Sequence, residues 1–155
     1  MTNQERKTLN TFLVKVFNEI LKTEELCISD KTFSNLSLRE IHVLEAIYEA
    51  EEQQTDNRST TIAAALHVTP GTLSTAVALL EKKGFIKRKK DEKDKRIVRL
   101  YTTDLGKQAQ EKHIAFHNEM VEDIASILTN DEATTFCRAL QKLSGFFFQK
   151  YDNQK

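Results

Sequence analysis

The spacing of apolar positions predicts a mainly helical chain. Apolar residues recur every three or four positions in six segments, a period that is typical of helices with one buried face. The segments are residues 5–28, 37–48, 59–66, 69–83, 103–128 and 132–151. Two short apolar runs, 85–86 and 97–100, flank a charged stretch and predict a hairpin. The pattern therefore gives six helices and a small sheet of two or three strands.

Capping residues mark two of the predicted helix starts. Ser37 and Glu40 have the spacing of a capping box, and Thr69 followed by Pro70 is a favourable N-cap. The buried stripe of the helix after Thr69 is expected to hold Leu73, Ala76, Val77 and Leu80. Residues 49–58 are polar and unperiodic, so they predict a loop in which Glu51 and Glu52 form no site.

The helices at 59–66 and 69–83 are joined by a turn of about three residues, as in a helix-turn-helix. The unburied face of the second helix carries small and hydroxylated side chains, which can approach base edges closely. The residues expected to face DNA are Thr69, Gly71, Thr72, Ser74, Thr75 and Lys82. An ordinary helical hairpin is the alternative interpretation of the helix pair alone.

The hairpin that follows is strongly basic. Residues 87–99 hold eight basic and three acidic side chains, a local charge of +5 in a chain whose formal net charge is zero. A basic wing beside a recognition helix can reach phosphates or the minor groove. We expect DNA contacts from Lys89, Lys90, Lys93, Lys95 and Arg96.

The wing also carries a family signature. The stretch from Asp94 to Thr103, DKRIVRLYTT, followed by Gly106, resembles the D-x-R-x-x-x-L-x-L-T signature of MarR-type winged helix-turn-helix regulators, with Thr102 in place of one Leu. Segments 37–43, 69–75 and 113–120 are most similar to the FabT-like branch of fatty-acid-synthesis repressors. The resemblance covers nearly the whole chain. It implies a winged helix-turn-helix in an obligate homodimer, with Asp94 orienting the wing and Arg96 entering the minor groove.

Three segments with different roles are expected. Residues 1–36 would form a dimerisation helix and its connection, 37–103 the DNA-binding lobe, and 104–155 a long helix and a second dimerisation helix. The first and last helices carry more apolar side chains than one small core can bury, which favours an interface over a satellite cluster. A dimer would read a pseudo-palindrome with half-sites roughly 34 Å apart.

Two effector hypotheses stay open. The FabT resemblance implies a corepressor, an acyl chain carried on acyl carrier protein. Its apolar pocket is expected to be lined by Phe12, Val16, Phe17, Ile41, His42, Leu44, His113, Phe116, His117 and Met120. The alternative is a zinc-responsive regulator, or one that responds to a small lipophilic ligand. Glu24, His42, His113 and His117 resemble the metal site of zinc-responsive members of the superfamily.

Other functions have no support in the sequence. No nucleophile motif or Gly-rich phosphate loop predicts an enzyme, and a helical adaptor would leave the basic wing unexplained. No apolar run approaches 18 residues, and MTNQERK is followed by no signal-peptide core, so a cytoplasmic protein without a cofactor is expected. Cys27 and Cys137 lack metal-site spacing and are expected to be buried thiols.

Overall fold

The computed structural model describes residues 1–28, 33 and 35–152, in two compact units, Met1–Phe116 and His117–Lys155. The connection that the sequence predicts at the end of the 1–36 segment lies largely outside the described residues. The first helix is a continuous helical run of α1 (Asn3–Thr11), a π-helical segment (Phe12–Val16) and α2 (Phe17–Ile28). It starts at a capping box in which Thr2 and Glu5 bond reciprocally.

The DNA-binding lobe has the predicted element order. It consists of α3 (Leu38–Glu52), α4 (Ser59–Ala65), α5 (Pro70–Lys82), β1 (Ile86–Lys90) and β2 (Val98–Thr102). Its buried core takes side chains from all five elements, with Leu44, Ile47, Leu80 and Leu100 fully buried at its centre. The helical period places Leu44, Ile47 and Leu80 on inward faces, as expected, and Leu100 comes from β2.

The predicted loop at 49–58 is wrong for its first four residues, because α3 continues to Glu52. Ala50 is buried in the core, and Glu51 accepts hydrogen bonds from Thr102 in β2. These contacts stabilise a last helical turn whose own sequence is polar. Glu51 therefore has a structural role that the sequence did not indicate.

The sheet is an antiparallel hairpin with Ile86 opposite Thr102 and Lys90 opposite Val98. An isolated bridge between Arg58 and Arg99 adds a short third edge. The backbone enters the sheet through Gly84, whose φ of 83° is left-handed. His67, in the turn before α5, is also left-handed at φ 53°, so it ends α4 sharply.

The long helix α6 (Asp104–Ser126) begins where Thr103 caps it, accepting a hydrogen bond from the backbone N–H of Gly106 at 3.1 Å. A Cβ at position 106 would lie 2.1 Å from the carbonyl oxygen of Phe85. Glycine is therefore required for α6 to start this close to the β1 entry.

The second unit contains the end of α6 and α7 (Asn130–Asp152), which starts at a capping box formed by Thr129 and Glu132. Apolar side chains of α7 remain exposed in the single chain: Phe136, Leu140, Phe146, Phe147 and Phe148. Cys137 is also exposed, so the prediction of a buried thiol is wrong there, because its helix face is uncovered. The side chain of Cys27 is not among those that the structure describes. Within the described residues, no single helix is long and apolar enough to cross a membrane, and only the bent pair α4 and α5, at 111°, reaches that composition jointly.

Candidate nucleic-acid interface

The helix α5 has the caps and the buried stripe that the sequence predicts. The Thr69 hydroxyl accepts a hydrogen bond from the backbone N–H of Thr72 at 3.1 Å, and Pro70 occupies the first turn. The four residues expected on the inner face are buried: Leu73, Ala76, Val77 and Leu80. The remaining surface of the helix is therefore available to a partner.

That outer surface is small and hydroxylated. A Cβ on Gly71 would meet only the Thr69 hydroxyl, at 3.9 Å, so packing within the protein does not require glycine there. Thr75 donates its hydroxyl hydrogen bond to the Gly71 carbonyl at 3.2 Å. Ser74 is exposed, and among the described residues its hydroxyl has no hydrogen-bond partner. These features allow close approach and leave a hydroxyl for a base edge or a phosphate.

The wing keeps its cations at the surface. The predicted DNA-binding lysines Lys82, Lys89, Lys90, Lys93 and Lys95 are all exposed. Arg96 has 90% of its side chain exposed, although it pairs with Asp94 through two hydrogen bonds of 3.0 and 3.1 Å. Asp94 thus pairs with a basic neighbour. That this pair orients the wing, as the family resemblance implies, and that it affects DNA binding both stay predictions.

The tip of the wing is organised by Asp91, which the sequence did not single out. Its carboxylate accepts hydrogen bonds from the backbone N–H groups of Lys93 and Asp94 and from Arg99 Nε at 2.5 Å. The hydrogen bond from Arg99, followed by those from the backbone, lowers the pKa of Asp91 to about 2. Asp91 is therefore ionised at neutral pH and holds the turn closed.

Arg99 also joins the wing to the segment before α4. It donates a hydrogen bond to Asn57 Oδ1 at 3.1 Å, while Asn57 Nδ2 donates to the Leu100 carbonyl at 2.9 Å. The backbone N–H of Leu100 in turn donates to the Asn57 carbonyl at 3.0 Å. These partners are more than 40 residues apart in sequence, so no local pattern could have revealed them.

An acid–histidine cluster lies elsewhere in the first unit. Glu24 Oε1 is 3.0 Å from His42 Nε2 and 2.7 Å from His113 Nε2, and both Glu24 and His113 are buried. Burial raises the pKa of Glu24, but the hydrogen bonds from His113 and His42 outweigh it and hold the pKa below its usual value. His117 follows His113 by one helical turn, in the second unit.

The residues predicted to line an effector pocket differ in burial. Ile41 and Leu44 are fully buried in the core of the lobe, whereas Phe12 and Phe116 are half-buried. Val16 and Phe17 are 40% and 54% exposed. Met120, like His117, belongs to the second unit and is half-buried. The pocket as a whole stays a prediction.

A capped recognition helix beside a basic hairpin, on a helical core, defines a winged helix-turn-helix protein of the class that binds duplex DNA. Residues 36–98 match the MarR family. The crystal structure of Streptococcus pneumoniae FabT in complex with DNA is similar at a TM-score of 0.86 and 30% identity, over 93% of this chain and 98% of that one. The chain belongs to the MarR family and is a DNA-binding transcriptional regulator of MarR type, not an enzyme.

Curated relatives agree with this class. The transcriptional regulator AdcR of S. pneumoniae is 28% identical over 146 residues, which cover 90% of this chain and 94% of AdcR. Two uncharacterised HTH-type regulators of Bacillus subtilis, YwhA and YwaE, match over 77 and 78 residues at 30% and 36% identity. Each match covers 50% of this chain. The chain spans about half the length of these two proteins, 55% of YwhA and 45% of YwaE.

Proposed function

We propose that the protein is a repressor of fatty-acid biosynthesis genes that binds a pseudo-palindromic operator as a homodimer. Its corepressor would be a long acyl chain presented on acyl carrier protein. The observation that carries this proposal is the similarity to FabT in complex with DNA, which extends over 98% of FabT. The sequence resemblance of segments 37–43, 69–75 and 113–120 to the FabT-like branch also supports the proposal.

The first helical run supports an effector site near Phe12 and Val16. Both residues fall in the π-helical segment Phe12–Val16, and such segments are frequent at functional sites because they widen the helix locally. Phe17 follows directly and is exposed. An apolar surface of this kind can take an acyl chain, since binding would remove it from water.

Exposed aromatic side chains support the homodimer. Phe146, Phe147 and Phe148 are 55%, 42% and 64% exposed in the single chain. Contiguous exposed apolar surface usually marks a contact with a partner, and most soluble oligomers are symmetric dimers. Two recognition helices at a fixed separation would then read two half-sites.

The test measures operator binding with and without the acyl carrier. Duplexes enriched from a random pool by the protein are titrated in the presence of long-chain acyl carrier protein or the same carrier without its acyl chain. The acylated carrier should tighten binding roughly tenfold, and the unacylated carrier should have no effect. Equal affinity with both carriers would contradict the acyl corepressor.

A pair of variants ties that response to the π-helical segment. Phe12→Ala should lose the acyl response while it keeps its affinity for DNA alone. Leu26→Ala, on the exposed side of α2, is the matched control and should respond as the wild type does.

A zinc-responsive regulator is the second candidate, and the shared contact of His42 and His113 with Glu24 favours it. Both imidazole Nε2 atoms lie within 3.0 Å of the same carboxylate oxygen. Two imidazoles and a carboxylate are ligand types that zinc accepts, so the donor chemistry suits the metal. Bound zinc would supply a link that draws these side chains together.

Zinc binding can be measured directly by calorimetry. The wild type should bind zinc and show a raised melting temperature, and His42→Ala should lose both effects. His67→Asn is the matched control, because asparagine tolerates the left-handed turn at that position. A zinc titration that changes neither the melting temperature nor the affinity for DNA would exclude this candidate.

A further inference from the structure

A cleft of about 320 Å³ lies between the recognition helix and the wing, and three arginines border it. Arg58 comes from the start of α4, Arg88 from β1 and Arg96 from the wing. The cleft is also lined by the hydroxyl-bearing residues Ser59, Thr60 and Ser74. Val77, Ile97 and Val98 complete the lining. Guanidinium groups and neutral hydrogen-bond donors therefore border a partly apolar cleft, and these polar groups suit an anion.

Each of the three arginines is held by one acid in the same way. Asp56 accepts hydrogen bonds from the backbone N–H of Arg58 at 3.1 Å and from its Nε at 2.6 Å. Glu81 accepts from the backbone N–H of Arg88 at 3.3 Å and from its Nε at 2.7 Å. Asp94 accepts from the backbone N–H and the Nε of Arg96, at 3.0 and 3.1 Å.

These bonds fix the guanidinium groups without using all their donors. In every pair Nη2 also contacts the acid, so the carboxylate covers the Nε–Nη2 edge. Among the described residues, no hydrogen bond is made by Nη1 of Arg58, Arg88 or Arg96. A guanidinium has five N–H donors, so its outer edge remains available to a phosphate.

The position of the cleft indicates which part of a DNA duplex would supply that phosphate. A recognition helix in the major groove and a wing in the adjacent minor groove lie on either side of one sugar–phosphate backbone. That backbone must cross the space between α5 and the wing, which is this cleft. We propose that Arg58 and Arg88 bind the phosphodiester backbone between the two grooves, and that Asp56 and Glu81 act as positioning residues that preset their guanidinium groups.

The charge of the site makes the proposal testable. The formal charges of the three arginines and three carboxylates sum to zero. Net charge therefore would not attract a DNA phosphate to this cleft. If the acids only repelled DNA, their removal would tighten binding. If they position the arginines, their removal weakens binding although the protein becomes more positive.

The experiment uses the Glu81–Arg88 pair, because Asp56 also contacts Arg99 and Thr61. Affinity and salt dependence are measured by fluorescence anisotropy on a duplex enriched by the wild type and on a scrambled duplex of equal length. Arg88→Ala should bind both duplexes roughly tenfold more weakly, and its salt slope should fall by about 1. Glu81→Gln should weaken both by about threefold or more. In the Arg88→Ala background, Glu81→Gln should cause no further loss.

Glu92→Gln is the matched control, since Glu92 is an exposed wing acid that makes no ion pair among the described residues. It should bind as well as the wild type or slightly better. Equal affinities of Glu81→Gln and Glu92→Gln would overturn the positioning role, and an unchanged salt slope in Arg88→Ala would overturn the phosphate contact. Unchanged thermal unfolding confirms that each variant is folded.

The inference rests on DNA binding and not on the acyl corepressor, because all measurements are made without an effector. A protein that ignores acyl carrier protein but loses affinity in Arg88→Ala would retain this contact and lose the fatty-acid proposal. A protein that responds to acyl carrier protein but keeps its full affinity in Arg88→Ala would retain the fatty-acid proposal and lose this contact.

Discussion

Glu51 accepts two hydrogen bonds from Thr102, one from its backbone N–H at 2.8 Å and one from its hydroxyl. Thr102 is buried and stands where the family signature has leucine. Glu51 and Thr102 therefore form a polar contact between α3 and the end of β2, and leucine would have no hydroxyl to donate in it. It joins the last turn of α3 to the base of the wing.

Loss of this contact should destabilise the lobe. Glu51→Ala leaves two donors of Thr102 without their acceptor and should lower the free energy of unfolding by about 1–3 kcal/mol, while Thr102→Val should cost about 1 kcal/mol. Urea denaturation measures both. Glu52→Ala, at the exposed neighbouring position, should unfold as the wild type does. A stable Glu51→Ala variant would mean that solvent replaces the carboxylate.

Two adjacent lysines at the end of α5 should have separate roles. Lys83 Nζ lies 2.6 Å from the buried carboxylate of Glu40 and also donates to the Asn35 carbonyl, whereas Lys82 is exposed. Burial raises the pKa of Glu40, but hydrogen bonds from Lys83 and Ser37 outweigh it and keep that carboxyl ionised. Lys83→Ala should therefore lower the free energy of unfolding by about 3 kcal/mol, since it leaves a buried charge unpaired.

Lys82→Ala should instead leave stability unchanged and reduce the salt slope of DNA binding by about 1. Thermal unfolding and anisotropy on the same two proteins separate the effects. If both variants lost stability equally, the assignment of Lys82 to the DNA surface would be wrong.

Two glycines offer a contrast between packing and helix propensity. Gly106→Ala would place a methyl group 2.1 Å from the Phe85 carbonyl and should cost about 1–3 kcal/mol of stability as α6 shifts. Gly145→Ala, in α7, meets nothing within 4 Å and should stabilise the chain by about 0.5–1 kcal/mol. Chemical denaturation of both variants tests this, and the same sign for both would contradict it.

The wing tip should respond to acid through Asp91. The pKa of Asp91 is about 2 in the folded protein against an ordinary value of 3.8, so its contribution to stability is complete above about pH 4. It declines as pH falls through about 2, where the folded state takes up the proton. Asp91→Asn should therefore reduce hydrogen-exchange protection of the wing amides at neutral pH.

The acid titration supplies the control for that variant. The difference in stability between Asp91→Asn and the wild type should stay constant from pH 7 to about pH 4 and shrink toward pH 2. A difference that grows on acidification would exclude the hydrogen bond from Arg99 as its cause.

The sequence by itself determined the features that depend on residues close together along the chain. Ser37 and Thr69 begin helices because their side chains accept hydrogen bonds from first-turn N–H groups, and Pro70 suits the first turn because it has no N–H and a preset φ. Helical spacing placed the buried stripe of α5, and the basic hairpin followed from composition. Together with the wing signature, these features were enough to identify the class of regulator.

Only the tertiary structure decided the contacts between distant segments. The final turn of α3 forms because Glu51 meets Thr102, which is 51 residues away, and Arg99 binds Asn57 across 42 residues. Arg88 and Glu81 meet because a left-handed turn at Gly84 folds β1 back beside α5. Hydrophobic periodicity and capping motifs predict contacts only between residues a few positions apart in the sequence. Pairing between polar side chains far apart depends on how the elements pack, and the sequence pattern carries no signal for it.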